Sequence, residues 1–315
     1  MALPLLYDCD PGNDTALAVL AAVGHPGIDL LAVTTLAGHL PAAQTAHNAA
    51  VALRAAGAHG VPVARGSELP LVRDQVLAGV LDLDSGLDRL RDDLPALDHD
   101  PRHSVELIID TARENPGLTV VTTGPLTNLA SAFRRDPATG RNIGRIISLC
   151  GAWGLGGKTA AAEFNVWCDP EAAAVVLGGE APVTLLPVEA TGAVPVDDAL
   201  TERIAAGPAA CVPLASELLA SMRRVHRPGP FGPVPVPLHD PCAVLYAADP
   251  SLGETRTVRV DVELDGRHTY GRTVIDLGGR SALQARTGVV VRLDTPRTHA
   301  ALADALARLP APAAA

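Results

Sequence analysis

The sequence predicts an α/β protein, an open, mainly parallel, Rossmann-like sheet with helices on both faces. Two observations carry this. Strand-like and helix-like segments alternate through the first half of the chain, and the strand-like ones are continuous apolar runs. Strands covered on both faces need that pattern, whereas half-exposed strands alternate apolar with polar residues.

Each element has its own signal. Leu3–Cys9 is a short apolar run and reads as a buried strand. Asp14–Val23 carries Ala and Leu at helical spacing and stops at Gly24 and Pro26. Asp29–Leu36 is the next strand, Pro41–Ala56 the next helix and Val61–Ala64 the third strand. A helix over Ser104–Glu114 and a strand over Leu118–Thr122 follow. The helix Leu126–Phe133, the strand Arg145–Leu149 and the helix Pro170–Leu177 complete the regular half. Beyond it, Val183–Pro187 reads as another strand and Ala209–Val225 as a longer helix. Arg256–Leu264 and Arg272–Leu277 alternate as an antiparallel pair would, with Asp265-Gly266 as a turn signal. Val289–Leu293 and a last helix, Thr298–Leu309, finish the fold. No repeat or long linker divides the chain, so residues 1–310 are expected to form one domain and 311–315 a flexible tail.

Composition narrows the function classes. The 315 residues are 48% hydrophobic but only 3% aromatic, so the core must be aliphatic and closely packed. The net charge is -10 and Lys158 is the one lysine, which argues against nucleic acid or an anionic membrane as partner. The five cysteines contain no C-x-x-C, so neither a zinc site nor a disulfide framework is expected. No basic leader precedes the first strand, and no apolar run approaches the roughly 20 residues of a membrane span. A cytoplasmic enzyme with reduced thiols is the expectation.

The most informative stretch is Tyr7-Asp8-Cys9-Asp10-Pro11-Gly12-Asn13-Asp14-Thr15-Ala16. Asp8 and Asp10 leave a strand on one face, and Asp14 enters the opening turn of the next helix. Three carboxylates thus meet at the carboxyl end of a parallel strand, where open α/β sheets bind ligands. Crowded carboxylates favour a hard cation or shared protons. Asn13 and Asp14 also suit a helix start, but capping leaves Asp8 and Asp10 unexplained.

This segment resembles the D-x-D-P-G-x-D-D-A signature of the inosine–uridine-preferring nucleoside hydrolase family. Thr34-Thr35-Leu36-Ala37-Gly38, Thr123-Gly124-Pro125-Leu126-Thr127-Asn128, Glu163-Phe164-Asn165 with Asp169-Pro170-Glu171-Ala172-Ala173, and His239-Asp240-Pro241 resemble further family motifs in the family's order. The resemblance implies the nucleoside hydrolase fold, a homodimer or homotetramer, and hydrolysis of a nucleoside to base and ribose at a bound Ca²⁺. By motif, Asp10 would ligate the metal and take the proton from its water. Thr15, the Thr123 carbonyl and Asp240 would be further ligands. Asp14, His39, Glu163 and Asn165 would hold the sugar, and His239 would lie near the base as proton donor. Asp8 and Asn128 would support the strand end. Phe231, in the Pro- and Gly-rich stretch Arg224–Pro237, would stack on the base if that stretch closes over the cleft; a solvated loop is the other reading. For His239 the other reading is an ordinary helix-start residue, with Asp240 as the cap. Trp153 and Trp167 lie beside motif segments, as cleft lining or as core.

The chemistry suits these residue types. Glycosidic cleavage builds positive charge on the ribose, which carboxylates stabilise, and a base leaves more readily when protonated. Several positions depart from the family pattern. Thr15 replaces a second aspartate, His39 an asparagine and Gly157 a sugar-contacting asparagine. Leu149-Cys150-Gly151-Ala152 and Asp82-Leu83-Asp84-Ser85-Gly86-Leu87 also differ. One carboxylate fewer means weaker calcium binding. The competing reading is therefore a non-hydrolytic or altered-substrate ribosyl-binding homologue with a weakened metal site. A haloacid-dehalogenase-like phosphatase ranks a distant third, because Gly12 occupies the Thr/Val place of its D-x-D-x-[TV].

Overall fold

The computed structural model describes residues 2–77, 87, 99–226 and 232–311. Eight strands form one sheet, β1 (Leu3–Cys9), β2 (Ile28–Thr35), β3 (Val63–Arg65), β4 (Leu118–Thr122), β5 (Ile143–Ser148), β6 (Val183–Leu185), β7 (Gly253–Val258) and β10 (Thr287–Leu293). Their order is β3-β2-β1-β4-β5-β6-β10-β7. Neighbours are parallel except β10 and β7. The chain builds outward from β1 through β2 to β3, then returns to add β4 on the other side. The order therefore reverses between β1 and β4, a topological switch point whose carboxyl end opens a crevice. Asp8 pairs there with Thr122 on one side and Thr34 on the other.

Helices cover both faces, as the apolar runs predict. Leu5, Tyr7, Val33, Val121 and Ile147 point into one apolar cluster, while Leu6, Ala32, Val120 and Ile146 point into the other. The first cluster lies under α1 (Asn13–Gly24), α2 (Ala42–Ala55), α10 (Val212–Val225), α11 (Asp240–Ala248) and α12 (Thr295–Ala307). Ala16–Ala22 of α1 are all buried, and small side chains let α1 pack against α2, α10, α11 and α12 at once. The second cluster lies under α3 (Ser104–Glu114), α4 (Thr127–Arg135) and α7 (Pro170–Gly178).

Three differences from the sequence reading have physical causes. Arg256–Leu264 is two strands in two sheets: β7 pairs with β10, whereas β8 (Val260–Val262) pairs with β9 (Thr273–Ile275). The chain changes partner at Arg259, whose carbonyl accepts from Asp276, while the Val258 carbonyl accepts from Arg286. Val258 and Val260 are both buried, so the alternation runs unbroken across the change. The last helix starts at Thr295, earlier than Thr298, because the Asp294 carboxylate caps it at Arg297 N. The short helices α5 (Ala138–Asn142), α6 (Phe164–Cys168), α8 (Val188–Gly192) and α9 (Asp198–Ala205) are too brief to show a helical period.

Candidate active site

The switch point gathers the acidic residues, but it gives them different work. Asp8 is a strut. Its Oδ1 accepts from Thr34 Oγ1 at 2.7 Å and Asn128 Nδ2 at 2.8 Å. Asn128 also donates to the Thr35 carbonyl and accepts from Ser67 N, so it ties β1, β2, α4 and the segment after β3 together. Burial pushes the Asp8 carboxyl up to about 7 despite these hydrogen bonds.

Asp10 lies one residue beyond β1 and is wholly buried. Its Oδ2 accepts from His39 N at 2.7 Å, and His39 Nδ1 lies 2.8 Å from the same oxygen. Its Oδ1 is buried with no partner among the described residues. Gly38 makes this approach possible, because a Cβ there would stand 2.1 Å from Asp10 Oδ2. The His39 ring packs against Phe164 with centroids 4.5 Å apart.

Asp14 crosses from α1 to α11. Its Oδ2 accepts from the backbone N–H groups of His239 at 3.2 Å and Asp240 at 3.0 Å, so it caps the start of α11. Thr15 Oγ1 donates to Asp240 Oδ2 at 2.5 Å. Burial raises the Asp240 carboxyl well above the usual range, and the Asp14 and Asp10 charges add to this. Burial likewise raises Asp14 to about 6. His239 stands at the start of α11; its side chain caps nothing and places Nδ1 2.6 Å from Thr191 Oγ1. Burial lowers the His239 pKa to about 4.

The third wall is the start of α6. Glu163 caps it by accepting from Asn165 N and Val166 N, and it also accepts from Gly151 N at 3.0 Å. Burial raises its pKa and these donors oppose the rise. Asn165 spends both Nδ2 protons on the carbonyls of Thr123 at 3.0 Å and Leu149 at 2.9 Å. Its Oδ1 is therefore fixed as an acceptor, buried and unpartnered among the described residues.

Between these walls is a cavity of about 580 Å³. Asp14, Thr15, Thr123, Glu163, Asn165, His239 and Asp240 line its polar side, with His39 and Lys158. Val188, Met222, Val225 and Val236 line an apolar side. Asp10, Asp8 and Asn128 do not line it; they are buried around its polar residues. A cavity lined by both acidic and apolar side chains can hold a polyol joined to a flat heterocycle. Phe231 and the stretch Asp82–Gly86 lie outside the described residues. Of the stretch Arg224–Pro237, Val225, His226, Val236 and Pro237 line the cavity, whereas Arg224 pairs with Glu217. Trp153 packs on both apolar clusters, and Trp167 carries the Arg73 guanidinium 3.9 Å over its ring. Among the described residues no three His, Cys, Asp or Glu side chains form a group that could hold a metal ion.

Sequence reasoning missed Tyr7, Phe164 and Thr191. Tyr7 bonds Thr123 through the two hydroxyls at 2.8 Å. Phe164 sits inside the Glu163–Asn165 motif, which is a usable signal. Thr191 carries none, being a lone threonine in a five-residue helix.

The chain is similar to known proteins in sequence and in fold. The family model described as inosine-uridine preferring nucleoside hydrolase matches residues 5–300. The pyrimidine-specific ribonucleoside hydrolase RihA of Citrobacter koseri is 36% identical over 308 residues, covering 98% of this chain and 99% of the relative. RihA of Escherichia coli O9:H4 is 36% identical over 307 residues, 97% and 99% of the two chains. Among solved structures, the plant nucleoside hydrolase PpNRh1 superposes with a TM-score of 0.83 at 29% identity, over 96% of this chain and 98% of the other. The purine-preferring ribonucleoside hydrolase from Gardnerella vaginalis gives 0.85 at 26% identity, over 97% and 98%.

Proposed function

The chain belongs to the inosine–uridine preferring nucleoside hydrolase family and is an N-glycosyl hydrolase; we propose that it splits a ribonucleoside into base and ribose in the acidic cavity, with Asp10 taking the proton from the attacking water. The observation that carries this reading is the joint placement of Asp14, Glu163, Asn165, His239 and Asp240 around one cavity that Val188, Met222, Val225 and Val236 also line. The unpartnered acceptors of Asp14 Oδ1 and Asn165 Oδ1 would receive the sugar hydroxyls. As the glycosidic bond lengthens, positive charge grows on the ribose ring, and the acidic side chains that line the cavity would stabilise it. His239 would present a neutral N–H to the departing base. Met222, Val225 and Val236 would pack on the base and exclude water.

The donor set also fits a hard divalent cation such as Ca²⁺. It consists of oxygens alone, and Asp10 Oδ1 is a buried carboxylate oxygen lacking a partner. Asp10, Asp240, Thr15 and the Thr123 carbonyl would hold it. When bound, such an ion supplies positive charge that makes a neighbouring water more acidic and grips the sugar diol.

Pyrimidine ribonucleosides are the substrates we favour, because the relatives at 36% identity are named pyrimidine-specific. Five buried free thiols support a reducing cytoplasm, and a homodimer or homotetramer is the assembly we propose. The Thr15–Asp240 hydrogen bond favours a second reading, in which a weakened cation site leaves a ribosyl-binding protein without turnover. Ribose release from uridine, cytidine and inosine, with and without added Ca²⁺, separates the two. Turnover of uridine supports the first reading, and saturable binding without ribose release supports the second.

A further inference from the structure

We propose that Thr191 is a positioning residue that fixes the proton of His239 on Nε2, so that the ring offers an N–H to the leaving base. This inference rests on the hydrolase reading above.

A buried hydroxyl must send its hydrogen to an acceptor. Thr191 is wholly buried in α8, and its Oγ1 lies 2.6 Å from His239 Nδ1. Threonines inside helices commonly turn the hydroxyl back on the carbonyl four residues earlier. Thr201 does so to Asp197 at 2.9 Å, and Thr298 to Asp294 at 2.8 Å. Thr191 does not. Its backbone N–H takes the Pro187 carbonyl, while among the described residues its hydroxyl meets only His239. Were Nδ1 to carry the proton, it would donate to Oγ1 and strand the hydroxyl hydrogen in a dry interior, which is costly. The hydroxyl therefore donates to Nδ1. Nδ1 is then an acceptor without a proton of its own, so the ring's proton sits on Nε2.

The surroundings hold this geometry still. Asp14 grips the His239 backbone N–H from α1. Glu189, two residues before Thr191, accepts from Trp153 N and Gly154 N and so fastens α8 to the segment after β5. Val188 of the same helix lines the cavity with His239. Thr191 touches no substrate. It acts by fixing which His239 nitrogen is the donor.

The test compares Thr191→Val, which keeps the shape and loses the hydroxyl, with Thr191→Ser, which keeps the hydroxyl. Each is assayed on the best nucleoside and on p-nitrophenyl β-D-ribofuranoside, whose phenolate leaves without a proton. Thr191→Val should lower kcat on the nucleoside by about 10- to 100-fold, the scale of losing one oriented hydrogen bond to the charge that develops on the leaving base, while KM and aryl riboside turnover change less than about twofold. Thr191→Ser should restore most of the loss. Equal losses on both substrates, no loss on either, or failure of the serine rescue would overturn the proposal. Ring ¹⁵N shifts of His239 decide the same point without turnover. They should report Nε2–H in the unaltered protein, and an Nδ1–H ring there would refute the inference. Absence of nucleoside hydrolysis alongside an Nε2–H ring would instead count against the hydrolase reading.

Discussion

Removing Asn128 tests the idea that a buried polar strut, rather than apolar packing alone, holds the acidic strand end in place. Asn128 makes four hydrogen bonds: to Asp8 Oδ1 at 2.8 Å, to the Thr35 carbonyl, and from Ser67 N and Oγ at 3.0 Å each. In Asn128→Ala, Asp8 keeps Thr34 and the Thr35 carbonyl keeps Ser104 Oγ, so neither is stranded. The bond to the Asp8 carboxylate is worth about 1.5–3 kcal/mol, and orphaning the half-buried Ser67 N–H adds about 1 kcal/mol. With the small void left behind, the expected loss is about 3–5 kcal/mol, a large part of a typical stability of roughly 5–15 kcal/mol. Urea unfolding with chelator present should show a lower midpoint at unchanged m-value. A loss below about 1 kcal/mol would refute the strut. Asn128→Asp sharpens the test through pH. The Asp8 carboxyl is raised to about 7 in the fold, so the unfolded chain binds fewer protons between about pH 4 and 7 and stability falls as pH rises through that window. A second carboxylate at 128 deepens that fall, and Asn128→Asp should be more destabilised relative to the parent at pH 8 than at pH 5.

Two further outcomes follow from the same geometry. Thr15→Asp should tighten Ca²⁺ binding by at least tenfold in titration calorimetry, equivalent to about 1.4 kcal/mol; without cation it should be less stable than the parent, because it adds charge beside the already raised Asp240. Gly38→Ala puts a Cβ 2.1 Å from Asp10 Oδ2; it should cost about 1–3 kcal/mol of stability and nearly all turnover, read by urea unfolding and ribose release.

The sheet was legible because its strands are buried on both sides and so read as unbroken apolar runs. The acidic floor was legible because Asp8, Asp10 and Asp14 cluster within seven residues of one strand end. What did not show was the division of labour among them. Asp8 became a strut through partners 26 and 120 residues away, Thr34 and Asn128. The capping of α11 by Asp14 spans 225 residues and leaves no local trace. The exchange of partners at Arg259 stayed hidden for the opposite reason, since Val258 and Val260 are equally buried in both sheets' environments. Thr191 was out of reach because its role depends on a hydroxyl turning away from its own helix, which is a matter of rotamer and not of residue type.

The proposed hydrolysis depends on the wholly buried Asp10 carboxylate beside the cavity. The direct measurement is steady-state ribose release from uridine by the unaltered protein and by Asp10→Asn, with Ca²⁺ present and folding checked by urea unfolding. Asp10→Asn should fold, and its kcat should fall by about 10²–10⁴, the span of general base catalysis. A folded Asp10→Asn protein that turns over uridine within threefold of the parent would contradict it.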